Sequence, residues 1–339
     1  MYKVALNFAD GKTLFCSVPP NGILLDAALK CGIKIPLDCR EGVCATCQGR
    51  CESGSYTQDY VDEEALSEQD LAERKVLSCQ TRVLSDASFY FDFDSTLCGN
   101  EGTAEVTSTV TEVIQISNST AIVRVAINAD QPVLNYLPGQ YARLKVPGTE
   151  HSRSYSFACA PGSRNLEFLV RLLPSGVMTD YVRDRCKVGD TIKMEAPLGA
   201  FYLRHIDRPV IMIAGGTGLS AFLGMLDQLA KKGGSGFPIH LFYGVRTEQD
   251  LCELARIEAY KAKIPGFEFT PVLSDASEQW KGLKGFIPAH LGEYETADTP
   301  FDMYMCGPPP MVESIKSWQT DKKLSSIRMY FEKFTESNT

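Results

Sequence analysis

Four cysteines stand at a spacing suited to metal chemistry: Cys39-Arg40-Glu41-Gly42-Val43-Cys44-Ala45-Thr46-Cys47, and then Cys79. The pattern C-x4-C-x2-C…C puts three thiolates on one tight loop and a fourth far along the chain, as a [2Fe–2S] cluster requires. Gly42 lets the loop bend, and the small Ala45 and Thr46 let backbone N–H groups approach the sulfurs and tune their potential. A zinc site would instead call for a second short C-x2–4-C knuckle, and none surrounds Cys79. Cys16, Cys31, Cys51 and Cys98 fall outside the pattern and read as small packing residues.

Residues 1–98, through Cys39, Cys44, Cys47 and Cys79, resemble a plant-type ferredoxin. Further along, Arg153-Ser154-Tyr155-Ser156 resembles the R-x-Y-[ST] signature of the ferredoxin–NADP reductase superfamily. The chemistry is intelligible: the Tyr155 ring can lie on an isoalloxazine, Ser156 can hydrogen-bond its N5/O4 edge, and Arg153 can pair with phosphate. Gly176-Val177-Met178-Thr179 opens a helix whose first N–H groups can face a pyrophosphate, a position the superfamily uses in that way.

Two more clusters follow in order. Gly215-Gly216-Thr217-Gly218-Leu219-Ser220-Ala221 contains G-x-G-x-x-A between a strand and a helix, the context a dinucleotide fingerprint needs. Cys306-Gly307-Pro308-Pro309-Pro310-Met311 resembles the C-G-P-x-x-M turn where the superfamily admits nicotinamide, although its prolines would equally suit a rigid helix start. Glu248, Asp250 or Asp275 can receive a ribose 2′-hydroxyl and would repel a 2′-phosphate. Asp275 falls where NADPH-dependent relatives place a basic residue, so NADH is expected; Arg246 points the other way. In Tyr330-Phe331-Glu332-Lys333-Phe334, strand periodicity puts Glu332 and Phe334 on one face. Superfamily members end near a flavin-stacking aromatic with a carboxylate two residues before it, the places that Phe334 and Glu332 hold here. Five residues follow Phe334, and a final edge strand with one buried Phe is the plainer alternative.

The elements that must position these residues are legible from periodicity. Tyr2–Phe8 and Lys12–Val18 alternate around Asp10-Gly11 as a hairpin. Asn21 is expected to cap a short helix carrying Leu24, Leu25, Ala28 and Leu29 on one face. A loop from Ile35 to Gly54 follows, then an acidic stretch (Asp62, Glu63, Glu64, Glu68, Asp70, Glu73), then a strand over 76–83. Leu97–Gly102 reads as a linker. Short runs at 104–116, 120–127, 141–146, 154–158, 166–173 and 191–196, separated by turn signals such as Pro138-Gly139, Pro147-Gly148, Pro161-Gly162 and Val188-Gly189-Asp190, predict an antiparallel barrel or sandwich, interrupted by one helix over 177–186. From Pro209 apolar runs (210–214, 239–245, 267–273, 301–306) alternate with helices (219–232, 248–261, 311–323), which predicts an α/β domain with a buried parallel sheet.

Composition narrows the class. The 339 residues carry a net charge of −8, against nucleic-acid binding. Residues 1–98 hold eight of the twelve cysteines and fifteen acids against nine bases, so an acidic, cysteine-dense front precedes a nearly neutral body. The first 30 residues lack a secretory apolar run, and no stretch reaches the ~18–20 apolar residues of a membrane span. A cytoplasmic protein is expected, where clustered cysteines bind metal more often than they form disulfides.

Taken together, the segments predict a multidomain α+β chain: 1–98 ferredoxin, 99–206 FAD-binding antiparallel β-barrel, 207–339 NAD-binding α/β. The ferredoxin resemblance implies a β-grasp fold. The domain order resembles the reductase components of bacterial ring-hydroxylating dioxygenases, the benzoate and toluate 1,2-dioxygenase type in particular. That resemblance implies transfer from NADH through FAD and the cluster to a terminal oxygenase. Ser156, Cys306, Glu332 and Phe334 would then border the hydride path, and Gly215–Gly218, Asp275 and Cys306–Pro308 would hold the nucleotide. FMN in place of FAD stays open, as do three other roles: reductase of a soluble di-iron monooxygenase, cytosolic part of a membrane NADH:quinone reductase, or a non-enzymatic iron–sulfur carrier or redox sensor.

Overall fold

The computed structural model describes residues 1–99, 103–295 and 300–334. The chain divides into two compact units, Met1–Thr103 with Leu198–Ala200, and Ala104–Pro197 with the chain from Phe201 onward. Of the expected linker, Asn100, Glu101 and Gly102 lie outside the described residues, as do the five that follow Phe334.

The described residues of the first unit form strands β1 Tyr2–Phe8, β2 Thr13–Val18, β3 Gln48–Ser53, β4 Tyr56–Gln58, β5 Lys75–Leu77, β6 Thr81–Val83 and β7 Ala87–Phe91, with helices α1 Leu24–Lys30 and α2 Glu68–Ala72. Five of the strands form a sheet in the order β2-β1-β7-β3-β5, while β4 pairs with β6 apart from it. The hairpin forms as read, with Gly11 at φ +76° in its turn. Asn21 does not cap α1: Ile23 occupies that position without a side-chain bond, and Asn21 instead takes φ +60° in the preceding turn. Leu29 faces outward, whereas Leu24, Leu25, Ala27 and Ala28 are buried. The single strand expected over 76–83 is two, β5 and β6, broken at Ser78–Gln80, where the chain must turn to present Cys79. The cysteine loop ends at Cys47, and β3 carries Cys51 into the sheet. The strand β7 lies outside the elements expected from periodicity; its Phe89 and Phe91 are buried.

The second unit begins with an antiparallel sheet in the order β11-β10-β13-β8-β9-β12. Its strands are β8 Ala104–Ser117, β9 Thr120–Ile127, β10 Tyr141–Lys145, β11 Ser152–Ser156, β12 Asn165–Arg171 and β13 Thr191–Leu198, and α3 Val177–Asp184 follows β12. A bridge between Phe157 and Phe168 joins the two ends of this sheet. The inward face (Val110, Val123, Val125, Phe157, Phe168, Ile192) is apolar because the side chains alternate across each strand.

A parallel sheet follows in the order β17-β16-β15-β14-β18-β19. Its strands are β14 Val210–Gly215, β15 Ile239–Val245, β16 Phe267–Leu273, β17 Leu283–Lys284, β18 Asp302–Gly307 and β19 Arg328–Lys333, with helices α4 Leu219–Lys232, α5 Leu254–Lys261 and α6 Pro309–Asp321. Every residue of β14 and β18 is buried, as expected of strands covered on both faces. The helix expected over 248–261 is shorter: a 3-10 turn at Glu248–Asp250 is followed by irregular chain, with Leu251 extended and Glu253 left-handed, and α5 begins only at Leu254. Among the described residues no helix is long and apolar enough to cross a membrane.

Candidate functional site

The cysteine loop is shaped by left-handed residues. Arg40, Gly42 and Ala45 have φ of +61°, +83° and +58°. A side chain at Gly42 would collide with the Tyr60 carbonyl, so only glycine serves there. The bends aim backbone N–H groups inward: Glu41 N–H donates to Cys39 Sγ at 3.3 Å, Val43 and Cys44 donate to the same sulfur, and Gly42 donates to Cys79.

The four thiols meet two and two. Cys44 donates to Cys39, which holds Cys39 down to about 5 and pushes Cys44 up. Cys47 donates to Cys79, which lowers Cys79 and raises Cys47. Among the described residues no three His, Cys, Asp or Glu side chains gather as they would around a single ion. Two sulfur pairs, three of the four thiols from one loop and the fourth from the turn between β5 and β6, match two irons with two thiolates each, and so fit a [2Fe–2S] cluster better than zinc. Two neighbours lie outside the cysteine motif. Ser78, fully buried beside Cys79, has an Oγ without a protein partner, and Gln80 Nε2 reaches Cys79 Sγ at 3.8 Å while holding the Arg40 carbonyl. Adjacency to Cys79 is the signal that could have found them. Of the other cysteines, Cys16 and Cys98 are buried and pushed up to about 12 by burial, and buried Cys51 accepts from Arg74 at 3.1 Å; Cys31 is exposed, contrary to a packing role.

In the second unit, β11 carries Arg153, Tyr155 and Ser156 opposite β10. Tyr155 is half-buried against the core of the antiparallel sheet. Ser156 is buried, yet its Oγ has no protein partner. A buried hydroxyl left open is costly, and a hydrogen-bonding ligand such as a flavin edge would satisfy it. Gly176, at φ +155°, precedes α3, and its N–H is 3.4 Å from Asp180 Oδ2. Met178 is buried in the core, and Thr179 Oγ1 is engaged with the Arg171 carbonyl and the Leu173 N–H, so any ligand contact here falls to the backbone.

The nucleotide motifs come together at the carboxyl ends of β14 and β18, neighbours in the sheet. The chain runs from β14 outward through β15, β16 and β17, then returns to β18 on the other side, which makes this the switch point where open α/β sheets bind ligands. Gly215 and Gly218 are pressed against the second motif: side chains there would strike Met311 and Pro308, and the Cys306 carbonyl, respectively. Gly216, at φ +54°, faces open space, a cradle that brings backbone close to a phosphate. Cys306 pairs with Glu332 across β18 and β19, and burial beside that carboxylate pushes its thiol up. Phe334 N–H donates to the Gly307 carbonyl at 2.9 Å, which places Phe334 next to this turn. The edge strand β19 does form, but its buried residue is Lys333, paired with Glu313 at 2.9 Å, and Phe334 stays half-exposed. Arg246 and Asp275, both exposed, form an ion pair at 3.2 Å, so the base that could meet a 2′-phosphate is already paired with an acid.

Family models match in the same order: a 2Fe-2S iron-sulfur cluster binding domain over residues 7–84, an oxidoreductase FAD-binding domain over 107–202 and an oxidoreductase NAD-binding domain over 212–317. The chain is 54% identical over its full length to the anthranilate 1,2-dioxygenase electron transfer component of Acinetobacter baylyi, covering 98% of that protein. The chain belongs to the 1,2-dioxygenase electron transfer component family. It is 38% identical to the toluate 1,2-dioxygenase electron transfer component of Pseudomonas putida, with 99% of each chain covered. Among solved structures, the cytochrome P450 reductase GcoB of Amycolatopsis aligns over 99% of both chains with a TM-score of 0.72 and 32% identity. As an electron transfer component, the chain is an NADH-dependent oxidoreductase whose cofactors are a [2Fe–2S] cluster, FAD and NADH.

Proposed function

We propose that this electron transfer component serves a terminal dioxygenase that acts on a benzoate-type aromatic acid, with anthranilate the first candidate. The observation that carries the electron route is the pairing of two sites on one chain: two thiol pairs in the first unit, and in the second an open Ser156 hydroxyl with a Gly215–Cys306 crevice. The choice of oxygenase rests on likeness, 54% to the anthranilate component against 38% to the toluate component and 32% to the P450 reductase.

In this reading residues 1–98 are a β-grasp ferredoxin domain, 99–206 an antiparallel barrel for FAD, and 207–339 the NAD domain. Cys39, Cys44, Cys47 and Cys79 ligate the irons. Arg153, Tyr155, Ser156 and the Gly176–Thr179 turn hold FAD, and Phe334 covers it. Gly215–Gly218 cradle the pyrophosphate of NADH, Asp275 takes its adenosine ribose, and Cys306, Gly307 and Pro308 admit the nicotinamide. Ser156, Cys306, Glu332 and Phe334 border the hydride path, where they orient the rings and exclude water. FAD, when bound, converts a two-electron hydride into the single electrons that a [2Fe–2S] cluster takes.

The exposed acids Glu41, Glu63 and Glu64 lie by the cluster loop, Asp62 N–H holding the Gly42 carbonyl, and form a docking face for a basic patch on the oxygenase. Asp70 is not part of it, being buried and paired with Lys75 at 2.7 Å. An anaerobic NADH titration followed by turnover with purified terminal oxygenases tests the whole reading. Flavin and iron–sulfur bands should bleach together, an anthranilate-type dioxygenase should turn over, and its rate should fall as salt rises. Turnover with a di-iron monooxygenase alone would overturn the partner assignment.

A further inference from the structure

Arg256, on α5, sits in the second unit where the strands that follow the Tyr155–Ser156 motif meet the helices of the nucleotide segment. Its Nη2 donates to the Ala158 carbonyl at 2.7 Å and to Asp227 of α4 at 2.8 Å. Its Nη1 donates to Glu167 of β12 at 2.5 Å and to Glu253 at 3.2 Å, and its Nε donates to Tyr260. Tyr260 in turn donates to Asp227 at 2.6 Å. Glu167 is shared with Arg124 at 2.7 Å, and the Glu167 carbonyl accepts the Ala158 N–H at 2.8 Å. Ala158 is therefore held by both its backbone groups, two residues beyond Ser156.

Three independent features agree with a clamp at this point. A side chain on Gly224 would come within 3 Å of the Phe157 and Cys159 carbonyls, so α4 lies directly on this stretch. Gly224 and Asp227 are three apart and share that face of the helix. Glu253 adopts φ +56°, a left-handed conformation costly for a residue with a side chain, and its carboxylate meets Arg256. Ala158 and Leu169 belong to the same buried cluster as Leu219, Phe222 and Leu226 of α4. The helix α4 starts at the Gly215–Gly218 turn, and Asp227 lies about 12 Å along it.

We propose that Arg256 is a positioning residue for hydride transfer: its guanidinium locks the chain beyond Tyr155 and Ser156 to the helix that begins at Gly215–Gly218, so that the flavin and nicotinamide sites keep one relative placement. This rests on the assignment of those two sites given above. A rigid joint matters because transfer depends steeply on the approach of two reacting atoms, and a planar fork with several acceptors resists displacement in more directions than a lysine can.

The test compares Arg256→Met, Arg256→Lys and Asp227→Asn with the unaltered holoprotein, by anaerobic stopped-flow flavin bleaching at saturating NADH and by hydrogen exchange of the Ala158 amide. The limiting bleaching rate constant, which does not depend on the folded fraction, should fall about tenfold or more in Arg256→Met, with KM for NADH within about threefold. Ala158 exchange should quicken at least about tenfold, and Arg256→Lys should fall between. Should Arg256→Met fail to fold, Asp227→Asn, which keeps volume and loses charge, carries the same two readouts in the same direction. An unchanged rate constant in a variant whose Ala158 amide is deprotected, or unchanged exchange, overturns the proposal alone. Failure of NADH to bleach the unaltered protein overturns the site assignment beneath it.

Discussion

Gly218 lies against Cys306. A Cβ at position 218 would overlap the Cys306 carbonyl oxygen, and one strand away Ala214 pairs with Cys306 across the parallel ladder. The turn after β14 and the turn after β18 are thus one surface, and a methyl group is enough to part them. Gly218→Ala should cost about 1–3 kcal/mol of stability, as overpacking does. It should also raise KM for NADH about tenfold, with kcat lowered less. Steady-state ferricyanide reduction at varied NADH, beside a thermal melt, checks both.

Ser156 presents the opposite case, a buried hydroxyl with no protein partner. Its replacement by alanine removes an unsatisfied group, so the melting temperature of the FAD-free protein should not fall. In the holoprotein the rate of flavin bleaching by NADH should drop about tenfold, the scale of one lost hydrogen bond near 1.4 kcal/mol. A fall in FAD-free stability would show that the hydroxyl has a structural partner after all.

Cys79 accepts a hydrogen bond from Cys47, so its removal breaks one of the two sulfur pairs. Cys79→Ala should lose the iron–sulfur visible bands and nearly all electron delivery to the partner oxygenase, while NADH still bleaches the flavin. Electron delivery at the unaltered rate would refute the order NADH, FAD, cluster.

The Arg246–Asp275 pair bears on nucleotide choice. Asp275→Ala removes the acid proposed to receive the adenosine ribose and frees Arg246 to meet a 2′-phosphate. Relative kcat/KM for NADPH over NADH should rise about tenfold, worth ~1.4 kcal/mol. Adding Arg246→Ala should cancel most of that gain, since the freed guanidinium is what supplies it.

His240 gives the nucleotide segment an acid limit. Its Nδ1 is 2.6 Å from the Tyr294 hydroxyl, its Nε2 is 2.8 Å from Thr270 Oγ1, and its ring stacks on Phe242 at 4.2 Å. Burial lowers its pKa below the ordinary 6.5, against the opposing pull of Glu293 and Glu268. The unfolded chain therefore binds this proton first. The stabilisation is whole above about pH 6.5 and declines as pH falls from there through the folded-state pKa. Thermal melts from pH 7.5 to 5 should show a steeper decline for the unaltered protein than for His240→Gln.

Much of this molecule is written in local pattern. The strands 120–127, 239–245 and 267–273 and the helix 219–232 are legible as short apolar runs and one longer helical stretch bounded by turn residues. The cysteine spacing and the glycine motifs name their chemistry because iron and phosphate accept few backbone shapes. Where local pattern misled, a neighbour had overruled it: Asn21 turned to φ +60° instead of capping, and the run over 76–83 broke where Cys79 had to meet Cys47. Sequence could not pair Cys39 with Cys44 and Cys47 with Cys79, leave Ser156 open, press Gly218 on Cys306, or gather Arg256 with Glu167 and Asp227. Those relationships join residues distant along the chain, and their energies depend on burial and on distances of a few ångströms. A residue type announces what it can do. Only the packed fold determines which partner it meets and how much water is left between them.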